Sequence, residues 1–125
     1  MKNLKEIKQE IAAQEVTIKK MRADKERTSK ITSATKHLEM LRTIERYLEF
    51  SPSQEFCQKE LDRVTHIIDL SYLAWNDEWA KTVAINPKAE NLPKASITSK
   101  KNAFLKGMNL TDLKKQVSTL VYILK

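Results

Sequence analysis

The sequence predicts an all-α fold, a bundle of four or five helices with a long N-terminal helical hairpin or coiled-coil arm. Only one glycine (Gly107) and three prolines occur in 125 residues, too few for a fold built on tight β-turns. Apolar residues recur at helical spacing along most of the chain. With 41% hydrophobic residues, the chain has enough apolar side chains for a modest core, and we expect one helical domain over 1–125.

The first helix is predicted over about residues 3–25, from apolar residues spaced alternately three and four apart. This spacing is a heptad seam. It is formed by Leu4, Ile7, Ile11, Ile18 and Met21, with Gln14 in the same register. Two interpretations stay open. The seam could bind a protein partner or a second copy of the chain, or it could pack within its own domain.

The stretch 23–30 interrupts this pattern because it has no large apolar residue. A second stripe begins at Ile31, ten residues after Met21, and predicts a helix over about 29–50. The spacing fits a stammer in one continuous helix, which would be roughly 70 Å long. It also fits a turn in which Thr28 or Ser29 caps a second helix. We favour the hairpin, and residues 1–50 form the hairpin or arm.

A central helix is predicted after the Ser-Pro-Ser-Gln sequence that follows Phe50, within the segment 51–85. Ser51 is a suitable N-cap, Pro52 suits the first helical position, and Gln54 would complete a capping box. Between Ile67 and Trp75 the apolar residues surround the helix axis, a pattern typical of a buried helix.

Residues 86–98 are predicted to be a loop, since two prolines interrupt them and no periodicity is present. Ser99 would then cap a short helix that ends at Gly107, and a last amphipathic helix would cover about 111–124. The segment 99–125 therefore holds the C-terminal helices.

The net charge of +7 is unevenly distributed. Residues 51–80 carry 2 basic and 6 acidic side chains, whereas residues 81–125 carry 9 basic and 2 acidic ones. The basic end could pack near the acidic middle, or it could face an outside polyanion such as DNA or RNA. The densest basic group comprises Lys94, Lys100, Lys101, Lys106, Lys114 and Lys115.

A helix beginning at Ser99 would place free backbone amides beside Lys100 and Lys101, an arrangement that suits a phosphate. Arginine is absent after Arg63. Because base-specific readout depends strongly on arginine, binding through this end would be weakly specific and sensitive to salt.

Catalytic and metal sites find little support in the sequence, and we expect a non-enzymatic protein without a cofactor. One glycine excludes glycine-rich phosphate loops and nucleophile elbows. Cys57 and His66 would lie on opposite faces of the same helix. Asp62, His66 and Asp69 share one face, which we interpret as a solvated face rather than a metal site. The single cysteine and the lack of a long apolar run predict a cytoplasmic protein without a membrane-spanning segment.

The functional expectation is an interaction module that oligomerises or binds a protein partner. Its interface would comprise the seam and one aromatic residue near the end of the central helix: Leu4, Ile7, Ile11, Ile18, Met21 and Trp79. Tyr72 and Trp75 share the stripe of Trp79, and we expect them mainly in the core. The alternative is a nucleic-acid-binding accessory protein that uses the six lysines.

Overall fold

The computed structural model describes all 125 residues and is 86% helical, without strands. Its helices are α1 (Leu4–Ala23), α2 (Thr28–Leu48), α3 (Gln54–Ile85), α4 (Lys94–Gly107) and α5 (Leu110–Leu124), with a short 3-10 helix at Pro87–Asn91. The predicted all-α fold of four or five helices is therefore confirmed.

Contacts between residues divide the chain into two compact units. Unit 1 comprises Met1–Gln58 and Thr119–Lys125, and unit 2 comprises Lys59–Ser118. The expectation of a single domain over 1–125 stays a prediction.

Unit 1 contains a helical hairpin, so the N-terminal residues do not form one continuous helix. A turn at residues 24–27 joins α1 to α2, and Lys25 adopts a left-handed φ of 53° there. The two helices pack along each other. Gln14, the polar residue of the seam, donates a hydrogen bond from Nε2 to the Ala34 carbonyl oxygen across the hairpin (3.0 Å). A polar residue is therefore accommodated in the seam, because α2 supplies its acceptor.

The core of unit 1 is aliphatic. α1, α2 and the end of α5 all contribute to it, and burial of these side chains provides the main stabilisation of the unit. Its buried apolar residues are Ile7, Ile11, Ile18, Leu38, Leu41, Ile44, Leu48, Cys57, Leu120 and Ile123.

The helix caps differ from the sequence prediction at two places in unit 1. The residue before α2 is Arg27, which makes no side-chain cap, so Thr28 and Ser29 do not cap this helix. Ser51 does not cap α3 either, because it adopts a left-handed φ of 51° and its amide donates to the Leu48 carbonyl at the end of α2. Ser53 caps α3 instead, since its Oγ accepts the Phe56 amide (3.0 Å).

Unit 2 is built around aromatic side chains. Trp75, Leu105 and Leu110 form its buried cluster, and partly buried apolar residues of α3 and α4 pack against it. The Trp75 ring stacks on Trp79 at 5.8 Å between centroids and lies 5.6 Å from Phe104. The aromatic stripe of α3 is therefore part of the core, as expected for most of its members.

One side of α3 is exposed, although the sequence predicts burial all round between Ile67 and Trp75. Leu70 is 49% exposed and Leu73 is 57% exposed. Val64, Ser71 and Trp75 are buried, and residues at this spacing share a single face of the helix. The apolar pattern continues onto the outer face of α3, where no other element of unit 2 covers it.

The predicted loop at 86–98 is mostly helical. Residues Pro87–Asn91 form the 3-10 helix, and α4 begins at Lys94, five residues before Ser99. Pro93 precedes the first residue of α4, a place where a missing amide hydrogen costs nothing. Gly107 has no positive φ, and the left-handed residue between α4 and α5 is Asn109 (φ 59°).

Candidate nucleic-acid interface

The six lysines of the predicted basic group lie on two helices of unit 2. α4 carries Lys94, Lys100, Lys101 and Lys106, and α5 carries Lys114 and Lys115. We call these six residues the lysine surface. Lys101 is half-buried and the other five are exposed.

Two of the lysines converge on one aromatic ring of α3. The Nζ atom of Lys101 lies 5.4 Å from the centroid of the Tyr72 ring, and that of Lys114 lies 5.9 Å from it. The aromatic face attracts both ammonium groups electrostatically. Tyr72 is itself held by packing against the Trp75 cluster. The fold thus brings one cation from α4 and one cation from α5 close to the same aromatic ring.

None of the six lysines forms an ion pair. Ion pairs form elsewhere in the molecule, at Lys2–Glu10, Glu26–Lys30, Glu15–Arg42 and Glu60–Arg63, and none of them includes one of these lysines. Asp69 and Asp77 on α3 also form none, although they belong to the same unit. The charge of α4 and α5 is therefore not neutralised by direct pairing with the acidic middle of the chain.

The phosphate site expected at Ser99 is wrong in its position. Because α4 begins at Lys94, Ser99 and the amides of Lys100 and Lys101 lie inside the helix. Those amides point along the helix axis and bond to carbonyls of the preceding turn. An anion that binds at Lys100 and Lys101 must therefore contact side chains rather than free backbone amides.

The seam residues face the interior of unit 1. Ile7, Ile11 and Ile18 are buried there, and Leu4 and Met21 are half-buried. The three isoleucines have almost no surface left for a partner in this conformation. Trp79, the other predicted interface residue, is half-buried and stacked on Trp75. The six residues expected to form a partner interface therefore expose little apolar surface, because most of that surface is buried within the chain.

A polar cluster in unit 1 has no counterpart in the sequence analysis. Lys2 Nζ and Tyr122 Oη both donate to Glu10 Oε1, at 2.9 and 3.0 Å. The Lys2 ammonium lies 4.1 Å from the centroid of the Tyr122 ring, and His37 packs edge-on against the same ring at 5.9 Å. No sequence spacing indicates this cluster, since Glu10 and Tyr122 are 112 residues apart.

The pKa values in this cluster shift in opposite directions. Burial raises the pKa of Glu10, but the hydrogen bonds from Lys2 and Tyr122 and the Lys2 charge outweigh burial, so the pKa lies below its usual value. The hydrogen bond to Glu10 raises the pKa of Lys2. The cluster therefore favours the ionised form of both side chains.

The remaining candidate residues do not assemble into a site for catalysis or metal binding. Cys57 is buried in unit 1 with its Sγ 3.9 Å from Tyr47 Oη, whereas His66 is exposed. No group of three or more His, Cys, Asp or Glu side chains is placed to hold a metal ion, the trio Asp62, His66 and Asp69 included. None of the helices combines the length and apolar character needed to cross a membrane.

Comparisons with known proteins add no relative. No protein-family model, curated protein or solved structure matches the chain.

Proposed function

We propose that this protein is a non-enzymatic helical module that binds the phosphate backbone of nucleic acid through the lysine surface of α4 and α5. The observation that carries the proposal is the absence of any ion pair at all six lysines. Unpaired ammonium groups on neighbouring helices release condensed counterions when they bind phosphates. This release favours binding to DNA or RNA over binding to small anions.

The convergence at Tyr72 supports a localised contact rather than a diffuse one. Lys101 and Lys114 come from different helices, and the Tyr72 ring attracts both ammonium groups. This attraction keeps the two cations in the same region of the surface, where one nucleic-acid backbone can contact both. We expect this pair to contribute more to affinity than the other four lysines.

The chemistry of the surface predicts weak sequence preference. Lysine is a compact point charge and lacks the planar fork with which arginine reads base edges. The lysine surface contains no arginine, and the one arginine of unit 2, Arg63, is paired with Glu60 at 2.9 Å. Binding should therefore depend on phosphate number and salt concentration more than on base sequence.

Charge reversal of the converging pair tests the proposal. The variant is Lys101→Glu/Lys114→Glu, and the matched control is Lys81→Glu/Lys88→Glu, which makes the same charge change at two exposed lysines of unit 2. Fluorescence anisotropy of a labelled generic DNA duplex at about 50 mM salt gives the affinity. We expect at least about a tenfold loss in the pair variant and a smaller loss in the control. Equal losses would remove the assignment to the lysine surface.

A second candidate function is binding to a protein partner or to a second copy of the chain. The outer face of α3 favours it, because Leu70 and Leu73 are both about half exposed and lie one helical turn apart. Asp69 and Asp77 are exposed on the same helix and would suit a basic partner. Self-association predicts a mass above 14.5 kDa by light scattering, reduced to that of the monomer in Leu70→Gln/Leu73→Gln. This candidate would be removed if the protein stayed monomeric at every concentration and if the variant bound protein partners as tightly as the unmodified protein.

A further inference from the structure

The turn between α1 and α2 carries a second concentration of positive charge, which lies in unit 1. Residues 19–30 contain six basic and two acidic side chains, a net charge of +4. All six cations are exposed, and only Lys30 is paired, with Glu26 at 3.7 Å. An exposed pair at this distance neutralises little charge. We call the six basic residues the hairpin end: Lys19, Lys20, Arg22, Lys25, Arg27 and Lys30.

Backbone hydrogen bonds fix the turn on which these cations lie. The amides of Lys25 and Glu26 donate to the carbonyls of Arg22 and Met21, at 3.2 and 3.0 Å respectively. Together with the left-handed φ of Lys25 (53°), these bonds form the Schellman motif that commonly ends a helix. The cations at the end of α1 are therefore held close to those of the turn and of the start of α2.

Lys25 occupies the position of this motif at which glycine is usual. A left-handed backbone brings Cβ close to the following carbonyl oxygen, a cost that glycine avoids. Turn geometry alone therefore favours glycine at this position, whereas lysine keeps a positive charge in the turn. Replacing Lys25 with glycine removes a cation without weakening the turn, so charge and folding can be tested separately.

The composition of the hairpin end fits a phosphate backbone better than a membrane surface. A helix that lies in a membrane interface inserts large apolar side chains between the lipids. Residues 22–30 contain no such side chain, and the flanking Met21 and Ile31 are half-buried. Arg22 and Arg27 supply planar donors that bind phosphate oxygens two at a time, which the lysine surface lacks.

We propose that the hairpin end is a second contact for the phosphate backbone of nucleic acid, which unit 1 makes in addition to the contact of the lysine surface. The inference rests on the proposed function for the class of ligand. Because the contact is to phosphates, the hairpin end adds affinity and salt dependence without adding preference for a base sequence.

Removal of three charges from the hairpin end of the full chain tests the proposal. The variant Arg22→Gln/Lys25→Gly/Arg27→Gln is titrated with a labelled generic DNA duplex at salt concentrations from about 50 to 200 mM. Each lost phosphate contact makes the slope of log affinity against log salt concentration shallower by about 0.9. We expect a slope shallower by about 2–3 and at least about a tenfold loss of affinity at about 50 mM salt. Lys25→Gly alone should weaken binding while its urea midpoint stays at or above that of the unmodified protein.

The matched control is Lys5→Gln/Lys8→Gln/Lys36→Gln. It removes the same amount of charge at three exposed lysines of unit 1 that form no ion pair. Its slope should change by less than about 1, because these lysines lie outside the hairpin end. Equal changes of slope in the hairpin variant and in the control would overturn the assignment to the hairpin end.

Comparison with the lysine-surface variant separates this inference from the proposed function. If the hairpin variant binds like the unmodified protein while Lys101→Glu/Lys114→Glu binds weakly, the hairpin contact alone is overturned. The reverse result would keep the hairpin contact and remove the lysine surface. Vesicles of phosphatidylcholine and phosphatidylserine in about a 2:1 ratio are the second probe. A hairpin variant that loses binding to the vesicles but keeps its affinity for the duplex would overturn the inference in favour of a membrane.

Discussion

Glu10 shows how one side chain connects distant parts of unit 1. Its Oε1 accepts from Lys2 and from Tyr122, while Oε2 is buried and accepts no hydrogen bond. The Lys2 amide also donates to the Ile123 carbonyl at 2.7 Å. The first residues of the chain and the end of α5 are therefore fixed around one carboxylate.

The lowered pKa of Glu10 predicts a loss of stability in acid. Because the folded pKa lies below the unfolded value of about 4.3, ionised Glu10 stabilises the fold above that pH, and this contribution disappears as the pH falls through the folded pKa. Glu10→Gln should lower the free energy of unfolding by about 1 kcal/mol at pH 7, an amount discounted for partial solvent exposure. Urea denaturation at pH 7 and at about pH 2.5 measures the difference.

The exposed Glu39→Gln is the control for that experiment. It should leave the free energy of unfolding within about 0.5 kcal/mol of the unmodified protein at both pH values. A Glu10→Gln deficit that persists undiminished at low pH would contradict the assigned charge interaction. For Lys2 the pH dependence of stability has the opposite sign. Because the folded pKa of Lys2 is raised, its charged form stabilises the fold below about pH 10.4, and this contribution is lost as the pH rises through the folded pKa.

Burial of isoleucine gives a second prediction at the residue scale. Ile44 in the unit 1 core is 0% exposed, and Ile85 at the end of α3 is 87% exposed. Ile44→Ala should cost about 2–5 kcal/mol, whereas Ile85→Ala should change stability by less than about 0.5 kcal/mol. Chemical denaturation of both variants checks the contrast. Similar costs for the two substitutions would show that the burial pattern is wrong.

At the scale of helices, the α2–α3 junction differs most clearly from what the sequence predicts. Ser51 and Ser53 flank Pro52, and both suit an N-cap by residue type. Ser51 is not the cap because it adopts a left-handed φ, and nothing in the sequence indicates this conformation at a serine. Glycine would adopt this conformation without the steric cost.

Two substitutions at this junction should have opposite effects. Ser53→Ala removes the cap of α3 and should lower the free energy of unfolding by about 1 kcal/mol. Ser51→Gly relieves the left-handed strain and should raise it by a few tenths to about 1 kcal/mol. Thermal and urea denaturation of each variant measure the signs. A stabilising Ser53→Ala, or a Ser51→Gly that destabilises like the loss of a cap, would contradict the structural assignment.

Helices with a strong apolar stripe could be predicted from the sequence, and their surroundings could not. The end of the first stripe at Met21 indicates the α1–α2 turn, because residues 23–30 offer no large apolar side chain for packing. The sequence does not indicate the start of α4, because Pro93 is typical of a loop, although proline is compatible with the position before a helix. The sequence also does not indicate that Leu70 and Leu73 are exposed, since an apolar pattern does not show which side of a helix other elements cover.

For the candidate site, too, the sequence shows which residues take part but not how they are arranged in space. The density of lysine on α4 and α5 is a property of the sequence, and it identified the residues of the lysine surface. Their convergence on Tyr72 requires three helices to meet, which no spacing predicts.

At the scale of the whole molecule, charge is the property that most distinguishes this chain. Its formal net charge is +7, and none of the lysines of α4 and α5 is paired. A protein with this distribution attracts polyanions over distances longer than a hydrogen bond, and salt weakens that attraction. We propose that this charge binds nucleic-acid phosphates.

The most direct test of that claim is the affinity of the unmodified protein for a generic DNA duplex at about 50 and 200 mM salt. If the six lysines contact phosphates, the affinity should fall by about three orders of magnitude across this range, and the logarithm of the affinity should fall linearly with the logarithm of the salt concentration. No binding at 50 mM, or binding that does not change with salt, would contradict the account.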